Sequence, residues 1–209
     1  MRYLLENPQR VSTAAFEHIK LVAVAMAIAI ALAMLIGVYL HRHPKLGGSV
    51  QTVLSVIYTI PSIAFLVLLI PLLGLGLVPA VVALVLYAQA ILVRNIVAGL
   101  GSVEPAVVEA AAGMGLTPWE ITWLVELPMA MPLILAGVRV AAVSMIAIAT
   151  VAAFFDAGGL GALIREGISQ DYGDKILAGV ILVALVAFGV ELSLRYLERR
   201  ATRYRAGAA

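Results

Sequence analysis

This sequence of 209 residues has no cysteine and few charged residues. The absence of cysteine excludes a disulfide framework and a thiolate metal site. Charged residues make up 12% of the chain and hydrophobic residues 63%, with a mean hydropathy of +1.07. A soluble domain of this composition would have too little polar surface. The composition therefore predicts an integral membrane protein, and its long apolar stretches predict an all-α fold.

The sequence also lacks the parts of common enzyme sites. It has no Gly-x-Ser-x-Gly elbow, and no Gly-Lys-Ser/Thr follows the glycine-rich stretch at 158–161, so a phosphate loop is not expected there. His18, His41 and His43 form no metal-ligand pair at helical spacing, and we expect them to be solvated surface residues. A net charge of +2 gives no reason to expect nucleic-acid binding. Enzyme, metal-protein and nucleic-acid-binding classes are therefore not favoured.

Uncharged stretches predict five transmembrane helices. Residues 21–40 form a charge-free run of 20 residues, enough for one helix across a hydrocarbon core of about 30 Å. Residues 46–93 contain no charge over 48 positions, which suits two helices joined by a hairpin at the Pro and Gly residues of 71–79. The predicted spans are 21–40, 50–72, 79–97, 128–155 and 176–196. Ala23, Ala27 and Ala31 provide a small-residue face for close helix packing in the first span.

Lys and Arg residues near the span ends predict the orientation. One side carries seven of them, mostly in a basic tail at 198–209 and just before it, and the other side carries five. We therefore expect the N-terminus outside and the C-terminus in the cytoplasm. Residues 1–20 are expected to form a short amphipathic helix on the outer surface. Its predicted lipid-facing residues are Tyr3, Leu4, Val11, Phe16 and Ile19.

The segment 103–127, between spans three and four, predicts a cytoplasmic helix-turn-helix. Ser102 can cap a first helix, and Gly113 and Gly115 can end it. Residues 117–120 read Thr-Pro-Trp-Glu, which fits a capping box with proline as the first helical residue. Pro128 then ends the second helix or bends it into the next span.

The same segment carries a spaced pattern. Glu-Ala-Ala at 109–111 is followed after three residues by Gly115, and after nine more by Val125, one residue and then Leu127 and Pro128. This pattern resembles the cytoplasmic coupling loop of ABC importer permeases, with Val125 where that family usually has isoleucine. The resemblance implies docking on a separate ATPase subunit, which would bind ATP and Mg; the chain itself would hold no cofactor. The implied coupling residues are Glu109, Ala110, Ala111, Gly115, Thr117, Leu127 and Pro128.

Further patterns narrow the resemblance. They are 59–64 in span two, 74–80 at the hairpin, Arg94-Asn95, 137–139 and 157–161. Together they resemble permeases of the glycine betaine, choline and carnitine class of osmoprotectant importers, with Asp156 and Ile96 as departures. The resemblance implies a single transmembrane domain at 21–197 in a bacterial or archaeal cytoplasmic membrane. It also implies a second permease subunit, identical or related, and an extracytoplasmic substrate-binding protein.

Several residues within the spans are candidates for the transport pathway or its gate. Pro61 predicts a bend in span two, with Thr59 and Ser62 able to take up freed backbone groups. Arg139 is expected near mid-membrane, facing a polar cavity, with Glu191 too far along span five for direct contact. Arg94 has Glu104 or Glu109 as expected partners, and packing or snorkelling remains an alternative for all these residues. The full candidate set is Tyr58, Pro61, Ser62, Tyr87, Gln89, Arg94, Asn95 and Arg139.

Two other functions stay open at this point. One is an ABC permease for methionine-like amino acids. The other is a channel or membrane scaffold unrelated to ABC transporters, in which 103–127 binds a different partner. Co-purification with an ATP-hydrolysing subunit distinguishes the second from an importer.

Overall fold

The structure is a computed structural model that describes the backbone of residues 2–207 and the side chains of residues 3–202. All regular structure in this part of the chain is helical. The α-helices are α1 (Arg2–Glu6), α2 (Pro8–Arg42), α3 (Pro44–Thr59), α4 (Ser62–Leu73), α5 (Leu77–Gly101), α6 (Pro105–Gly113), α7 (Pro118–Ile121), α8 (Leu127–Ala152), α9 (Leu160–Ser169) and α10 (Gly173–Gly207). A π-helix, Thr122–Glu126, joins α7 to α8, and a 3₁₀ turn, Ala153–Phe155, follows α8.

Four helical segments within 2–207 are long and apolar enough to cross a membrane. They are Pro8–Arg42, Leu77–Gly101, Pro118–Phe155 and Gly173–Thr202. Helices α3 and α4 pass the same test only as a pair, bent by 96° at their junction. By length alone the pair is either one broken span or a re-entrant loop.

Contacts between helix ends decide that α3 and α4 cross the membrane together. The C-terminal parts of α2 and α5 lie side by side, because Gly37 packs directly on Ile96. At the opposite face, the Gly76 N–H before α5 donates to the Phe155 carbonyl after α8. Since α2 and α5 run in the same direction, the chain between them must return across the membrane. The fold therefore has five crossings, as predicted, and its N-terminal and C-terminal ends lie on opposite faces.

The N-terminal region differs from the prediction of a separate surface helix over 1–20. Only α1 is separate, and α2 runs from Pro8 straight into the first span. Proline at the first helical position tolerates this start, because its missing N–H needs no partner there. Tyr3, predicted to face lipid, is 5% exposed. It contacts the Tyr172 ring edge-on, with centroids 5.8 Å apart.

The predicted basic tail at 198–209 is likewise not separate from the last span. Helix α10 continues to Gly207. The side chains of Arg203 and Arg205 lie outside the described side chains, and Ala208 and Ala209 lie outside the described backbone.

The small-residue face of the first span is also one step away from the predicted one. Ala25, Ala29 and Ala33 are each 0% exposed, whereas Ala23, Ala27 and Ala31 are exposed. The buried stripe faces α5 and continues to Gly37, where an added Cβ would lie 2.5 Å from Ile96 Cγ2. A run rich in alanine at every second position offers two such faces, and only the position of α5 selects between them.

The proline at 61 produces a full break in span two. Ile60 is extended, with φ −66° and ψ 129°, and Pro61 precedes α4 with φ −56° and ψ 132°. The residue before a proline disfavours the α conformation, so α3 ends there. The hydroxyl of Thr59 takes up the Val56 carbonyl at 2.7 Å, which confirms its predicted role. For Ser62 no such bond is present among the described residues.

The proline at 128 neither ends nor bends the helix, contrary to prediction. The chain from Pro118 to Phe155 is one continuous helical segment of 38 residues. The π-helix immediately before Leu127 widens the backbone by one residue per turn. This local change accommodates the missing N–H of Pro128 without a change of direction.

Candidate functional site

The segment 103–127 forms a compact knob on the face that also carries the C-terminal ends of α2, α5 and α10. Helix α6 ends at Gly113, and Gly115 adopts φ +89°, a conformation that L side chains rarely adopt. Nothing lies within 4 Å of a Cβ added at Gly115, so glycine is needed there for its backbone and not for space. Ser102 does not cap α6; its hydroxyl donates to the Gly99 carbonyl at the end of α5 instead.

The start of the second helix is fixed as predicted. The Thr117 hydroxyl oxygen accepts from the Glu120 N–H at 3.3 Å, and the Thr117 N–H donates to the Glu120 carboxylate at 2.8 Å. Pro118 is the first helical residue. The reciprocal capping box gives this short helix a defined direction after the Gly115 turn.

The surface of the knob is apolar around one acidic residue. Glu109, Ala110 and Pro128 are exposed, whereas Ala111 is buried and Leu127 is partly buried. Four large apolar side chains are also exposed: Met114, Trp119, Trp123 and Leu124, at 75%, 56%, 41% and 65%. An exposed apolar cluster of this kind is typical of a protein interaction surface. Sequence reasoning did not include these four among the site residues, although two tryptophans four positions apart are a visible signal.

A polar cluster fastens this knob to the end of the first span. His41 Nε2 lies 3.1 Å from Glu126 Oε1, and the Thr122 hydroxyl donates to Glu126 Oε2 at 2.8 Å. Arg42 donates to the Pro118 carbonyl at 2.6 Å and to the Thr122 hydroxyl at 3.0 Å. The Arg42 guanidinium also stacks over the Trp119 ring at 5.1 Å. We call His41, Arg42, Thr122 and Glu126 the inner anchor.

The inner anchor corrects the prediction that His41 is a solvated surface residue. Its side chain is 21% exposed and that of Glu126 is 10% exposed. The signal in the sequence was a carboxylate one residue before the predicted end of the loop, facing two basic residues that end a span. Only the fold shows that these two segments, 80 residues apart, meet.

The break in span two gathers three of the pathway candidates. The Tyr87 hydroxyl donates to the Ile60 carbonyl, at 2.5 Å, which the break has freed from helical pairing. The Tyr87 ring contacts Tyr58 and Phe65 edge-on, with centroids 5.9 and 5.3 Å apart. Tyr87 is 3% exposed, whereas Tyr58 is 43% exposed. Tyr58, Pro61 and Tyr87 therefore form one aromatic cluster with Phe65, about halfway along α5.

The other candidates are dispersed. Gln89 is buried between α2 and α5 and donates to the Ala29 and Val85 carbonyls. Arg94 donates to the Ser55 hydroxyl at 3.2 Å, so its expected partners Glu104 and Glu109 are wrong. Asn95 donates to the Ile91 carbonyl and packs on Gly137, where an added Cβ would lie 2.5 Å from Asn95 Cβ.

Arg139 connects α8 to α10. Its Nη1 lies 2.6 Å from Glu191 Oε1 and its Nε 2.9 Å from Glu198 Oε2, so the expectation that Glu191 is out of reach is wrong. Glu198 lies 25 residues beyond Gly173, about 38 Å along the helix, which exceeds a core of about 30 Å. The guanidinium therefore reaches toward the inner edge of the hydrocarbon core and pairs with α10, instead of facing a mid-membrane cavity.

A second set of polar contacts fastens the first span at the opposite face. Glu17 accepts a hydrogen bond from the Gly159 N–H at 3.2 Å. Arg10 and Lys175 both contact the Glu166 carboxylate on α9, each at 2.5 Å. Burial alone would raise the pKa of Glu166, but the hydrogen bond and charge of Lys175, helped by Arg10, hold the pKa below its usual value. We call Arg10, Glu17, Gly159 and Glu166 the outer anchor.

Comparison with known proteins gives a consistent family. The sequence pattern of the family described as "Binding-protein-dependent transport system inner membrane component" matches residues 23–203. The carnitine transport permease protein OpuCB of Listeria monocytogenes is 38% identical over 200 residues, covering 96% of this chain and 92% of that protein. The choline transport system permease protein OpuBB of Bacillus subtilis is 36% identical, covering 97% and 93%. The osmoprotectant import permease protein OsmW of Salmonella typhimurium is 37% identical, covering 95% and 94%.

Solved structures match the fold. A chain of the MetNI methionine ABC transporter, described in inward-facing conformations, superposes with a TM-score of 0.81 over 91% of this chain and 95% of that one. A chain of an amino acid ABC transporter crystallised with histidines superposes with a TM-score of 0.71. Their sequence identities are 22% and 20%, so these two matches bear on the fold alone.

Proposed function

The chain belongs to the family of binding-protein-dependent transport system inner membrane components, and from this premise we propose how it works. It is the permease subunit of an ATP-driven ABC importer for small osmoprotectants: glycine betaine, choline, carnitine or similar quaternary amines. The observation that carries the substrate class is the near full-length similarity, at 36–38% identity, to permeases named for choline, carnitine and osmoprotectants.

The 103–127 knob is the surface that docks on the ATPase subunit. It combines a capped, rigid helix pair with exposed Met114, Trp119 and Trp123 beside the carboxylate of Glu109. Apolar side chains with tryptophan prominent, surrounded by polar groups, favour a protein partner. ATP and Mg are held by that partner, and closure of the ATPase pair moves the knob. This chain supplies no catalytic group to hydrolysis.

The knob therefore lies in the cytoplasm, and the C-terminal end of α10 lies there with it. The Arg residues near the end of α10 and the Arg42 to Lys45 stretch are on this same face, as the positive-inside tendency requires. The N-terminus, α9 and the 170–174 turn face outward and meet a substrate-binding protein. A second permease subunit, identical or related, completes the pathway, because five helices do not enclose one.

The aromatic cluster at the span-two break is the part of this chain best suited to a quaternary ammonium ion. Tyr58 presents a ring that is 43% exposed, and Tyr87 and Phe65 support it from behind. Cation–π attraction contributes about 0.5 to 2 kcal/mol per contact, enough to guide an ion and too little to trap it. No acidic residue occurs between Glu17 and Glu104 to bind the cation more strongly.

The alternative functions have less support. Similarity to the methionine transporter is at the level of the fold, with 22% identity, and does not extend to substrate. A scaffold unrelated to ABC transporters does not account for the family match over 23–203.

The coupling role is tested by paired glycine variants. Gly115→Val places a β-branched residue at φ +89°, which costs about 1 to 3 kcal/mol of local strain. Gly113→Val is the matched control, because it also has open space but keeps a helical backbone. With the ATPase and binding protein reconstituted in vesicles, we expect Gly115→Val to abolish most uptake and Gly113→Val to retain most of it. Equal uptake by the two variants and wild type contradicts the coupling role.

The charge at the docking surface gives a second test. We expect Glu109→Lys to weaken co-purification of the ATPase subunit, while Glu104→Lys, at another exposed position of the same loop, leaves it largely intact. The substrate class is tested with the same vesicles by uptake of radiolabelled choline, betaine and methionine. Transport of methionine without any quaternary amine contradicts the osmoprotectant function and leaves the permease role standing.

A further inference from the structure

The first span has a feature that the transport function does not by itself require. Helix α2 is uninterrupted over 35 residues, about 52 Å at 1.5 Å per residue, and exceeds a hydrocarbon core of about 30 Å by some 20 Å. It contains no proline after its first residue. Its buried Ala25, Ala29 and Ala33 stripe packs closely along α5. It is therefore a straight, well-supported rod that reaches beyond both membrane surfaces.

Each end of this rod is fastened to a different functional surface. The inner anchor joins His41 and Arg42 to the knob through Thr122 and Glu126. The outer anchor joins Arg10 and Glu17 to α9 through Glu166 and Gly159. The contacts involve side-chain charges or backbone groups, so they hold direction as well as distance.

A second connection between the same two surfaces runs through span four. The segment Pro118–Phe155 passes without a break from the knob to the turn before α9. One rod alone would let the two surfaces tilt relative to each other. Two rods, fixed to both surfaces at separate points, restrict that tilt.

We propose that α2 acts as a brace between the ATPase-docking knob and the outer helix α9. Through this brace, solute-loaded binding protein on the outer face signals to the ATPase. His41, Arg42, Arg10 and Glu17 are its positioning residues: they contact neither solute nor nucleotide and act through the surfaces that they hold. The inference rests on the proposed function, since it assigns a route within the same importer.

The experiment uses the complete transporter in lipid nanodiscs and measures the fold-stimulation of ATP hydrolysis by binding protein loaded with choline. Glu17→Leu removes the acceptor for the Gly159 N–H, and Glu17→Gln retains one. Gln9→Leu is the matched control, because its exposed side chain lies on the same end of α2 and makes no hydrogen bond within the described structure. We expect Glu17→Leu to reduce stimulation about 2- to 30-fold, the range for residues that carry coupling. Glu17→Gln and Gln9→Leu should remain near wild type.

A double variant tests that the two ends act in one line. If α2 connects the surfaces in series, releasing the inner end with His41→Phe or the outer end with Glu17→Leu interrupts the same connection. The double variant should then lose no more stimulation than the more impaired single variant. Losses that multiply independently overturn the brace, as does wild-type stimulation in Glu17→Leu. A wild-type transporter that hydrolyses ATP with no response to loaded binding protein instead overturns the proposed function.

Discussion

Spans two and four both contain a proline near a critical point, and they differ in what surrounds it. Span two breaks by 96° at Pro61, and one side chain, Tyr87, takes up the freed Ile60 carbonyl. Span four passes Pro128 without bending, because a π-helix precedes it. Span four is further held by the inner anchor and by the Arg139 ion pairs. The same residue type therefore produces a hinge where polar support is sparse and a continuous rod where it is dense.

This difference suits two roles in an importer. A rod that begins in the ATPase-docking knob transmits displacement, and a break at half depth lets the pathway change shape while the rest of the bundle stays packed. The three changes that follow test this division of roles, from the largest expected effect to the smallest.

Loss of Arg139 should have the largest effect on span four. Arg139→Leu leaves Glu191 and Glu198 without their shared cation, and hydrogen bonds to charged groups contribute about 1.5 to 3 kcal/mol each. All three side chains are about one-quarter exposed, so the loss should fall below that of a fully buried pair. We expect a clear drop in melting temperature of the purified permease.

Arg94→Leu is the matched control for this change, because Arg94 is exposed and has one hydrogen bond to Ser55. It should lower the melting temperature much less. If Arg139→Leu, Glu191→Leu and Glu198→Leu combined are no more stable than Arg139→Leu alone, the unpaired carboxylates are not the cause.

Removal of one hydroxyl should weaken the hinge in span two. Tyr87→Phe leaves the Ile60 carbonyl without a partner at a buried position, which costs about 1 to 3 kcal/mol. We expect lower thermal stability and reduced choline uptake. Tyr58→Phe serves as the control, since Tyr58 is exposed and makes no hydrogen bond within the described structure. Uptake and stability that fall equally in both variants would show that the Tyr87 hydroxyl has no special role at the break.

The smallest effect is expected at the start of span four. Thr117→Ala removes the capping hydroxyl and should destabilise the first turn by about 1 kcal/mol, whereas Thr117→Ser keeps it. Amide hydrogen exchange around Glu120 should accelerate in the alanine variant alone. Unchanged exchange there would mean that the knob is held by the inner anchor and not by the capping box.

Much of the fold follows from local sequence signals. Charge-free runs of fixed length predict the five crossings, and the Thr117 to Glu120 capping box depends only on neighbouring residues. The break at Pro61 also follows from a local rule. These features are determined within a few residues, so a single sequence is sufficient to predict them.

The errors concern contacts between distant segments. Nothing near Arg139 in the sequence indicates which turn of α10 it meets, because that depends on how far the two helices slide past each other. The stripe through Ala25 and the stripe through Ala23 are equally small, and the position of α5 decides between them. The passage at Pro128 depended on a π-helix, for which the sequence carries no simple signal. The inner anchor was missed for the same reason, since His41 and Glu126 meet only in the folded chain.

The division between hinge and rod can be measured directly by spin-label distances. One pair of labels at Val53 and Leu72 reports across the span-two break, and a second pair at Leu124 and Phe154 reports along span four; all four side chains are exposed. Labelled permease would be mixed with an excess of unlabelled permease, so that one subunit of each pair carries labels, and compared with and without bound ATP. The account predicts that ATP changes the distance between 53 and 72 and leaves the distance between 124 and 154 unchanged. A fixed distance across the break together with a changed distance along span four would contradict it.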